Sequence, residues 1–553
     1  VVPQPSPTIP SEATVTEIRA GKPRNFPLWL SIVLVFLGGF AIGGALMTYS
    51  AAFGWDDVWQ HMYSKYVLSL FHLYPEEQIA TLKLYGPLTE LFLGIATEYI
   101  FYPLQDPYWV RHALVFALFP TTLFLHFVLL RKNGISLATA LLATCCVFGV
   151  IRFGGHALVN VKDFPAASAY LIITLIQWQL FRFCFDRQEI ISTRWLSSLV
   201  LLGMVSVVPY LMRTPLLLHF VMTSAACILV SLLRRDMGKR KRLLLAIIPI
   251  ISGILTISLL LPSVWSEGFF GSMEKTLSFY SHHPRGLSTR VFGMQFTPEA
   301  IPRWYALAWI IVIAHPAVTA LALLGIILPF IHHRKEGSLL AIPTSAGTWH
   351  ISLHLWMWIV TLLSFLAVIV ISPNLYNEER HILFLYPILF SAAALGLGSL
   401  RKTTKYWLST LIVIVSLLSY ASWGKYSYIY INPLLGMTNK KHFTGDYWEV
   451  CMPHAILVSQ ENAQSNTRVY LRSINPPTYI QLIRLRQGTF FQDRKLARFR
   501  STSKRPERNP YFAISNYPDD QRTLEDIETK KASLVWGEKT PLGEYMCLVA
   551  RYQ

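Results

Sequence analysis

The chain has 553 residues, of which 53% are hydrophobic and only 14% charged, with a mean hydropathy of +0.40 and a formal net charge of +18. Soluble globular domains carry roughly 25% charged residues. This composition, with repeated apolar runs of about 20 residues, therefore excludes an ordinary soluble protein and reads as a polytopic membrane protein. The basic excess does not point to nucleic acid, because those residues mostly sit between apolar runs, where they set membrane orientation.

Residues 1–26 are rich in Pro, Ser and Thr and read as a disordered N-terminus. The apolar run from Pro27 to about Ser50 is too long for a signal-peptide core and lacks a clear small-residue cleavage site, so it is expected to remain as a first span. "GWDDVWQHMY" (54–63) follows, with Asp56 and Asp57 between Trp55 and Trp59. Tryptophans of this kind anchor a segment at the headgroups, and carboxylates at that depth are costly without a cation, solvent or a chemical task. Such an acid can serve as general base toward a hydroxyl or amine, or hold a divalent cation against a phosphate. A solvated loop pair is the plain alternative.

Further apolar runs fall near 108–130, 136–151, 164–182, 195–209, 214–233, 243–262, 302–330, 350–372, 380–399 and 406–424, making eleven with the first. The basic clusters 19–24, 131–132, 182–194, 234–242, 332–336 and 401–405 alternate with the remaining loops, so a cytoplasmic N-terminus satisfies the positive-inside rule throughout. "PLTELFLGIATEYIFYPL" (87–104) is read as an amphipathic helix on the outer surface, since Glu90 and Glu98 share one helical face. The outer set of loops then holds the unusual residues.

His156, Lys162 and Asp163 lie in "HALVNVKDFP", ahead of a span that Pro165 helps to begin. Lys162 suits a phosphate, whereas Asp163 also fits a helix N-terminal acid. Arg213 sits between Pro209 and Pro215, where two spans meet, and needs a phosphate or carboxylate partner. In "YNEERHILFLYP", Glu378, Glu379, Arg380 and His381 crowd the start of another span, with Arg380 suited to bidentate phosphate binding. Salt bridges within a short turn are the competing account.

After about residue 425 the chain turns polar. A helix through "AILVSQENA" and strands at "RVYLRS", "TYIQLIRL", "YFAISNY" and "EYMCLVARY" describe a small α/β domain. Its basic stretch 493–508 suits either anionic headgroups or solvent. Cys145, Cys146, Cys184 and Cys227 lie in or beside apolar runs, whereas Cys451 and Cys547 lie in the tail, where pairing depends on an oxidising compartment. Zincin, P-loop and Rossmann patterns are absent, as is any N-glycosylation sequon.

Taken as an ordered set, "YGPLTELF" (85–92), "HALVNVKDFPAA" (156–167), "RVFGMQFTPEAIPRWYALAWIIVIAHP" (290–316), "YNEERHILFLYP" (376–387) and "KHFTGDYWEV" (441–450) resemble a bacterial branch of the C-type glycosyltransferase (GT-C) superfamily. That superfamily includes protein O-mannosyltransferases and lipid A aminoarabinose transferases. The resemblance implies an α-helical polytopic membrane protein of about eleven transmembrane helices with a small C-terminal α/β extramembrane domain. Its parts would be a cytoplasmic N-terminus (1–26), a transmembrane domain (27–424) with a large first outer loop (51–107), and a periplasmic domain (425–553).

The implied enzyme is a polyprenyl-phosphate-sugar-dependent glycosyltransferase of a bacterial inner membrane. It would pass the sugar to a lipid, glycan or protein acceptor on the outer face. Asp56 and Asp57 correspond to its base or metal-contacting acid, and Lys162, Arg213 and Arg380 to donor-phosphate contacts. His156, Asp163, Glu378 and Glu379 are further site candidates. No cofactor is certain; a divalent cation, Mg or Mn, is the candidate. The chain departs from the family in having Asp-Asp where Asp-Glu is usual, and Thr214 where a glycine is expected after Arg213. A flippase for lipid-linked glycans and an inactive scaffold are the rival classes.

Overall fold

The structure is a computed structural model that describes residues 44, 57–73, 85–102, 106–186, 191–233, 237–281, 288–336, 342–343, 349–350, 352–375, 377–436, 443, 448, 450–462, 468–472, 500–502, 511–516, 521–539, 541 and 545–552. Asp56, Trp55 and most of the run 27–50 lie outside them, as do 478–485 and most of 493–508. The chain is a helical, multi-pass membrane protein with a small mixed sheet near its C-terminus.

Among the described residues seven helices are long and apolar enough to cross a membrane. Two further runs are bent pairs, 137–148 with 151–159 at 58° and 305–311 with 316–328 at 117°, and Leu385–Ser399 is a shorter apolar helix. These account for the ten apolar runs after the first.

In chain order, α1 (Asp57–Leu70) and α2 (Leu88–Ile95) form the first loop, and α2 ends in a π-helical turn, Ala96–Ile100. Next come α3 (Pro107–Lys132), α4 (Leu137–Phe148), α5 (Ile151–Val159) and α6 (Asp163–Asp186). They are followed by α7 (Thr193–Ser206), α8 (Leu218–Leu233), α9 (Lys239–Leu260) and α10 (Pro262–Ser281). Then come α11 (Pro316–Glu336), α12 (Leu353–Ile371), α13 (Leu385–Gly396) and α14 (Lys402–Trp423).

Local chemistry sets the ends of these helices. Asp106 caps α3, accepting from the Tyr108 and Trp109 amides at 2.8 and 3.4 Å, with Pro107 in the first turn and Arg131 and Lys132 in the last. At that basic end the buried Lys405 Nζ donates to Thr139 Oγ1 (2.9 Å) and to the Gly398 carbonyl (2.8 Å), joining the α3–α4 and α13–α14 loops.

In the first loop α2 is amphipathic, with its polar side turned inward. Glu90 and Glu98 both face α1, whereas Phe92, Tyr99, Ile100 and Tyr102 are exposed. Buried Glu90 bonds Ser64 Oγ and Arg111 Nη2, each at 2.6 Å, so α1, α2 and α3 are held by one ion pair. Tyr63 Oη donates to the Tyr85 carbonyl at 2.6 Å.

Broken helices leave backbone groups that hydrocarbon cannot satisfy, and here the breaks satisfy one another. The Arg152 amide donates to the Ile313 carbonyl (3.2 Å), the Asn432 amide to Val312 (3.0 Å) and Asn432 Nδ2 to Ile311 (2.9 Å). Every residue of α5 is buried. Residues 424–432, which the sequence assigns mostly to the tail, fold back onto α5 as part of the bundle.

In the tail, α15 (Met452–Asn462) and α16 (Gln521–Glu528) accompany a five-stranded sheet. A small hairpin earlier in the chain supplies β1 (Thr289–Val291) and β2 (Met294–Phe296). The sheet contains β3 (Arg468–Arg472), β4 (Arg500–Thr502), β5 (Tyr511–Asn516), β6 (Ser533–Lys539) and β7 (Tyr545–Tyr552) in the order β4-β3-β5-β7-β6. Pairing is parallel through β4, β3 and β5, then antiparallel through β7 and β6. A disulfide joins Cys451 to Cys547 on β7, with Cα atoms 5.8 Å apart. The other four cysteines are buried thiols.

Gly155 is a point of close backbone approach between α5 and the returning chain. A Cβ there would stand 2.1 Å from the Tyr428 amide nitrogen and 2.2 Å from the Ser427 carbonyl carbon. Backbone cannot yield as a side-chain tip can, so Gly155→Val is expected to displace residues 424–430. The check is the yield of monodisperse protein on size exclusion, expected to fall severely, with Gly238→Ala, at an open position of ordinary backbone conformation, as control.

Candidate active site

Arg152 lies in the first turn of α5 and is wholly buried. Its Nη1 donates to the carboxylates of Glu378 and Glu379 (2.6 Å to the latter), and its Nε donates to the Tyr430 carbonyl at 2.6 Å. The guanidinium also lies over the Trp309 ring, 4.7 Å from its centroid. One side chain thus ties α5 to the 377–382 turn, to the chain after α14 and to the 305–311 segment. The turn needs that support. Asn377 and Glu378 have φ of 54° and 61°, a conformation costing about 1–3 kcal/mol for ordinary residues unless the surroundings impose it. Burial opposes charge on Glu379, but Arg152 and His156 outweigh it and hold the carboxyl below its usual range.

Four residues on from Arg152, on the same helical face, His156 Nε2 lies 3.5 Å from Glu379 Oε1. Its Nδ1 is 3.1 Å from Asn160 Nδ2, which also donates to Asp163 Oδ2 at 3.1 Å. The other Asp163 oxygen pairs with Arg213 Nε at 2.8 Å. His381 then stands between two guanidinium groups, its Nδ1 3.3 Å from Arg213 Nη2 and its Nε2 3.2 Å from Arg380 Nε. A neutral imidazole accepts at one nitrogen only, so His381 does not neutralise this pair. Trp448 completes the group, its ring centroid 4.9 Å from Arg380 Cζ and 5.8 Å from Lys162 Nζ. Lys162, Arg213 and Arg380 come from three separate loops and are all buried.

Asp57 opens α1 and is buried, with Oδ2 3.0 Å from His112 Nε2. The other ring nitrogen of His112 is 3.0 Å from the Leu158 carbonyl. A carbonyl only accepts, so Nδ1 carries a hydrogen there, and Asp57 and His112 must share a proton across their own contact. Leu158 is two residues before Asn160, so the aspartate and the basic cluster flank the same stretch of α5. Farther along α1, burial first, then Arg111 and Lys65, push the His61 imidazole down to about 3. The His61–Glu98 contact at 3.5 Å is therefore that of a neutral ring.

Of the residues singled out in the sequence, Lys162, Asp163, Arg213, Arg380 and His156 come together here. Glu378 and Glu379 join them as partners of Arg152. Asp57 is held beside them through His112, and Asp56 lies outside the described residues. Sequence reasoning passed over Arg152, His112, Asn160 and Trp448. The 152, 156, 160 spacing was a usable signal, as were Arg111 and His112 inside an apolar run.

Among the described residues no group of three or more His, Cys, Asp or Glu side chains could hold a metal. The described carboxylates here are bound by Arg or His partners, which is not the oxygen-rich donor set that Mg or Mn requires.

Arg152→Ala would leave two buried carboxylates without their cation, a loss of about 3–5 kcal/mol. A thermal melt in detergent is expected to drop sharply, and adding Glu378→Gln and Glu379→Gln should recover much of the loss.

No family model matches the chain, and no curated protein matches it. Among solved structures, the chain is similar to ArnT from Cupriavidus metallidurans in the apo state, at 12% identity and a TM-score of 0.48, covering 95% of this chain and 98% of that one. It is similar to the same protein bound to undecaprenyl phosphate at 13% identity and a TM-score of 0.45, with the same coverage. An Archaeoglobus fulgidus oligosaccharyltransferase complex with Zn and sulfate gives 11% identity and a TM-score of 0.38 over 92% of this chain and 72% of that one.

Proposed function

We propose that this protein is a membrane glycosyltransferase that moves a sugar from a polyprenyl-phosphate donor to a hydroxyl- or amine-bearing acceptor. The observation that carries this reading is the convergence of Lys162, Arg213 and Arg380 around His381 and Trp448, with Asp57 tied through His112 to the Leu158 carbonyl, two residues before Asn160. Among the described residues, Arg152, Lys162, Arg213 and Arg380 gather with the carboxylates of Asp163, Glu378 and Glu379, four cations against three anions. A sugar–polyprenyl phosphodiester carries one negative charge and matches that excess. Its isoprenoid tail stays in lipid while the phosphate reaches the cations.

In the reaction, the Asp56/Asp57 pair takes the proton from the acceptor hydroxyl or amine as its lone pair attacks the anomeric carbon. The bond from that carbon to the phosphate oxygen breaks, and its electrons go to the departing polyprenyl phosphate. That group gains a second negative charge, which Lys162, Arg213 and Arg380 stabilise in a dry site where such charges interact strongly. Attack from the face opposite the phosphate inverts the anomeric configuration. His112 holds one Asp57 oxygen, so that carboxylate meets the acceptor in a defined orientation.

We assign the site to the outer face of a bacterial inner membrane. The Cys451–Cys547 disulfide supports an oxidising compartment for the tail. The basic loops joined by Lys405 support a cytoplasmic location for the opposite end. The sugar acceptor is a lipid, glycan or protein of that outer face.

The test uses proteoliposomes with a radiolabelled polyprenyl-phosphate sugar and envelope extract as acceptor. Asp56→Ala and Asp57→Ala are each expected to lower transfer by about 100-fold or more. Arg380→Ala is expected to raise the donor KM about tenfold. Full activity in both aspartate variants would remove them as the base. An unchanged KM would remove Arg380 from the donor site, and absence of sugar release by the wild type would favour a flippase or an inactive scaffold.

A further inference from the structure

Asn160 is wholly buried in the break between α5 and α6, and its side chain is fully engaged. Its Oδ1 accepts from the backbone amides of Asp163 (2.9 Å) and Lys162 (3.4 Å). Amide groups only donate, so the oxygen must face them and Nδ2 must face the other way. There Nδ2 gives one hydrogen to Asp163 Oδ2 and the other to His156 Nδ1, both at 3.1 Å. An asparagine side chain has two donor hydrogens and two acceptor lone pairs, and all four are used. His156 Nδ1 therefore accepts, and the neutral ring keeps its hydrogen on Nε2, facing Glu379 Oε1 at 3.5 Å.

The consequence runs along a chain of contacts. With Oδ2 held by Asn160, Asp163 presents Oδ1 to Arg213 Nε at 2.8 Å. Arg213 reaches His381, which in turn meets Arg380. On the other side His156 leads to Glu379 and Arg152. Asn160 thus joins the Asp163–Arg213 pair to the Arg152 centre.

We propose that Asn160 is a positioning residue of the donor-phosphate site: it orients the Asp163 carboxylate and, through it, the Arg213 guanidinium group, without touching the substrate. This rests on the functional reading above. Neither aspartate nor serine substitutes well. Aspartate keeps the acceptor oxygens but loses both donors and opposes a second carboxylate to Asp163. Serine keeps one acceptor and lacks the amide donors.

The experiment is equilibrium binding of undecaprenyl phosphate to the purified full-length chain in nanodiscs, so that neither sugar nor acceptor need be known. Asn160→Asp is expected to weaken binding about tenfold, the scale of a lost hydrogen bond to a charged group. Adding Asp163→Asn to that variant exchanges the amide and carboxylate roles and is expected to recover part of the affinity, which a mere packing defect would not do. Wild-type affinity in Asn160→Asp overturns the inference, as does an equal or greater loss in the exchanged pair. Where Asn160→Asp fails to accumulate, Asn160→Ser in the same titration decides, with a similar loss supporting the inference and none overturning it. Failure of the wild type to bind removes the functional reading and this inference with it, whereas wild-type binding with an unaffected variant removes the inference alone.

Discussion

The Arg152 ion pair is the constraint around which the rest of this molecule is arranged. A guanidinium with no exposure to solvent must be matched by charge and hydrogen bonds, and here the matching groups arrive from distant parts of the chain. Two carboxylates come from a turn with left-handed residues, and carbonyls come from the segment that follows the last long helix. That centre, together with the Thr289 hydroxyl that accepts from the Glu378 amide at 3.1 Å, holds Glu378 at φ of 61° and so sets the place of Arg380, two residues on. The interaction is weak evidence for stability as such, since a well-packed apolar core can do as well. Its importance lies in how many loops it brings to one end of the bundle.

Half-helices make that convergence possible. A straight span carries its ends to opposite faces of the membrane, whereas α5 is a short piece set at 58° to α4. It presents Arg152 and His156 on one face, with Asn160 just past its end, while remaining inside protein. The backbone groups freed by the bends are satisfied by the matching bend at 305–316 and by Asn432. Polar side chains can then be spent on the site rather than on mending the backbone.

How far the sequence foretold this depends on the range of each interaction. The spans were legible because a bilayer demands about 20 apolar residues and the basic loops alternate. Strands at 468–472, 511–516 and 545–552 were legible from their β-branched and aromatic content, but β6 and α16 were missed. "SLVWGEK" mixes polar and apolar residues without clean alternation, and α16 is only eight residues long. Lys162, Asp163, Arg213 and Arg380 stood out as charges at the ends of apolar runs. Arg152 did not, because its partners are 226 and 227 residues away and no local pattern announces such a pairing. Trp448 was missed for a similar reason: a tryptophan in a polar tail looks like domain packing until its ring is found beside Arg380 and Lys162.

The return of residues 424–432 into the bundle, with Trp448 and Cys451 soon after, gives biogenesis of this protein a definite order. The ribosome releases the spans first, and large chains fold progressively as they emerge. Arg152 and Arg380 are both in the membrane domain before their last partners exist. The candidate site can close only after residues 424–432 and Trp448 have been made, and the bond from Cys451 waits for Cys547, 96 residues later. A nascent chain halted after α14 would already hold Lys162, Arg213 and Arg380, yet lack Trp448 and the Cys451–Cys547 bond.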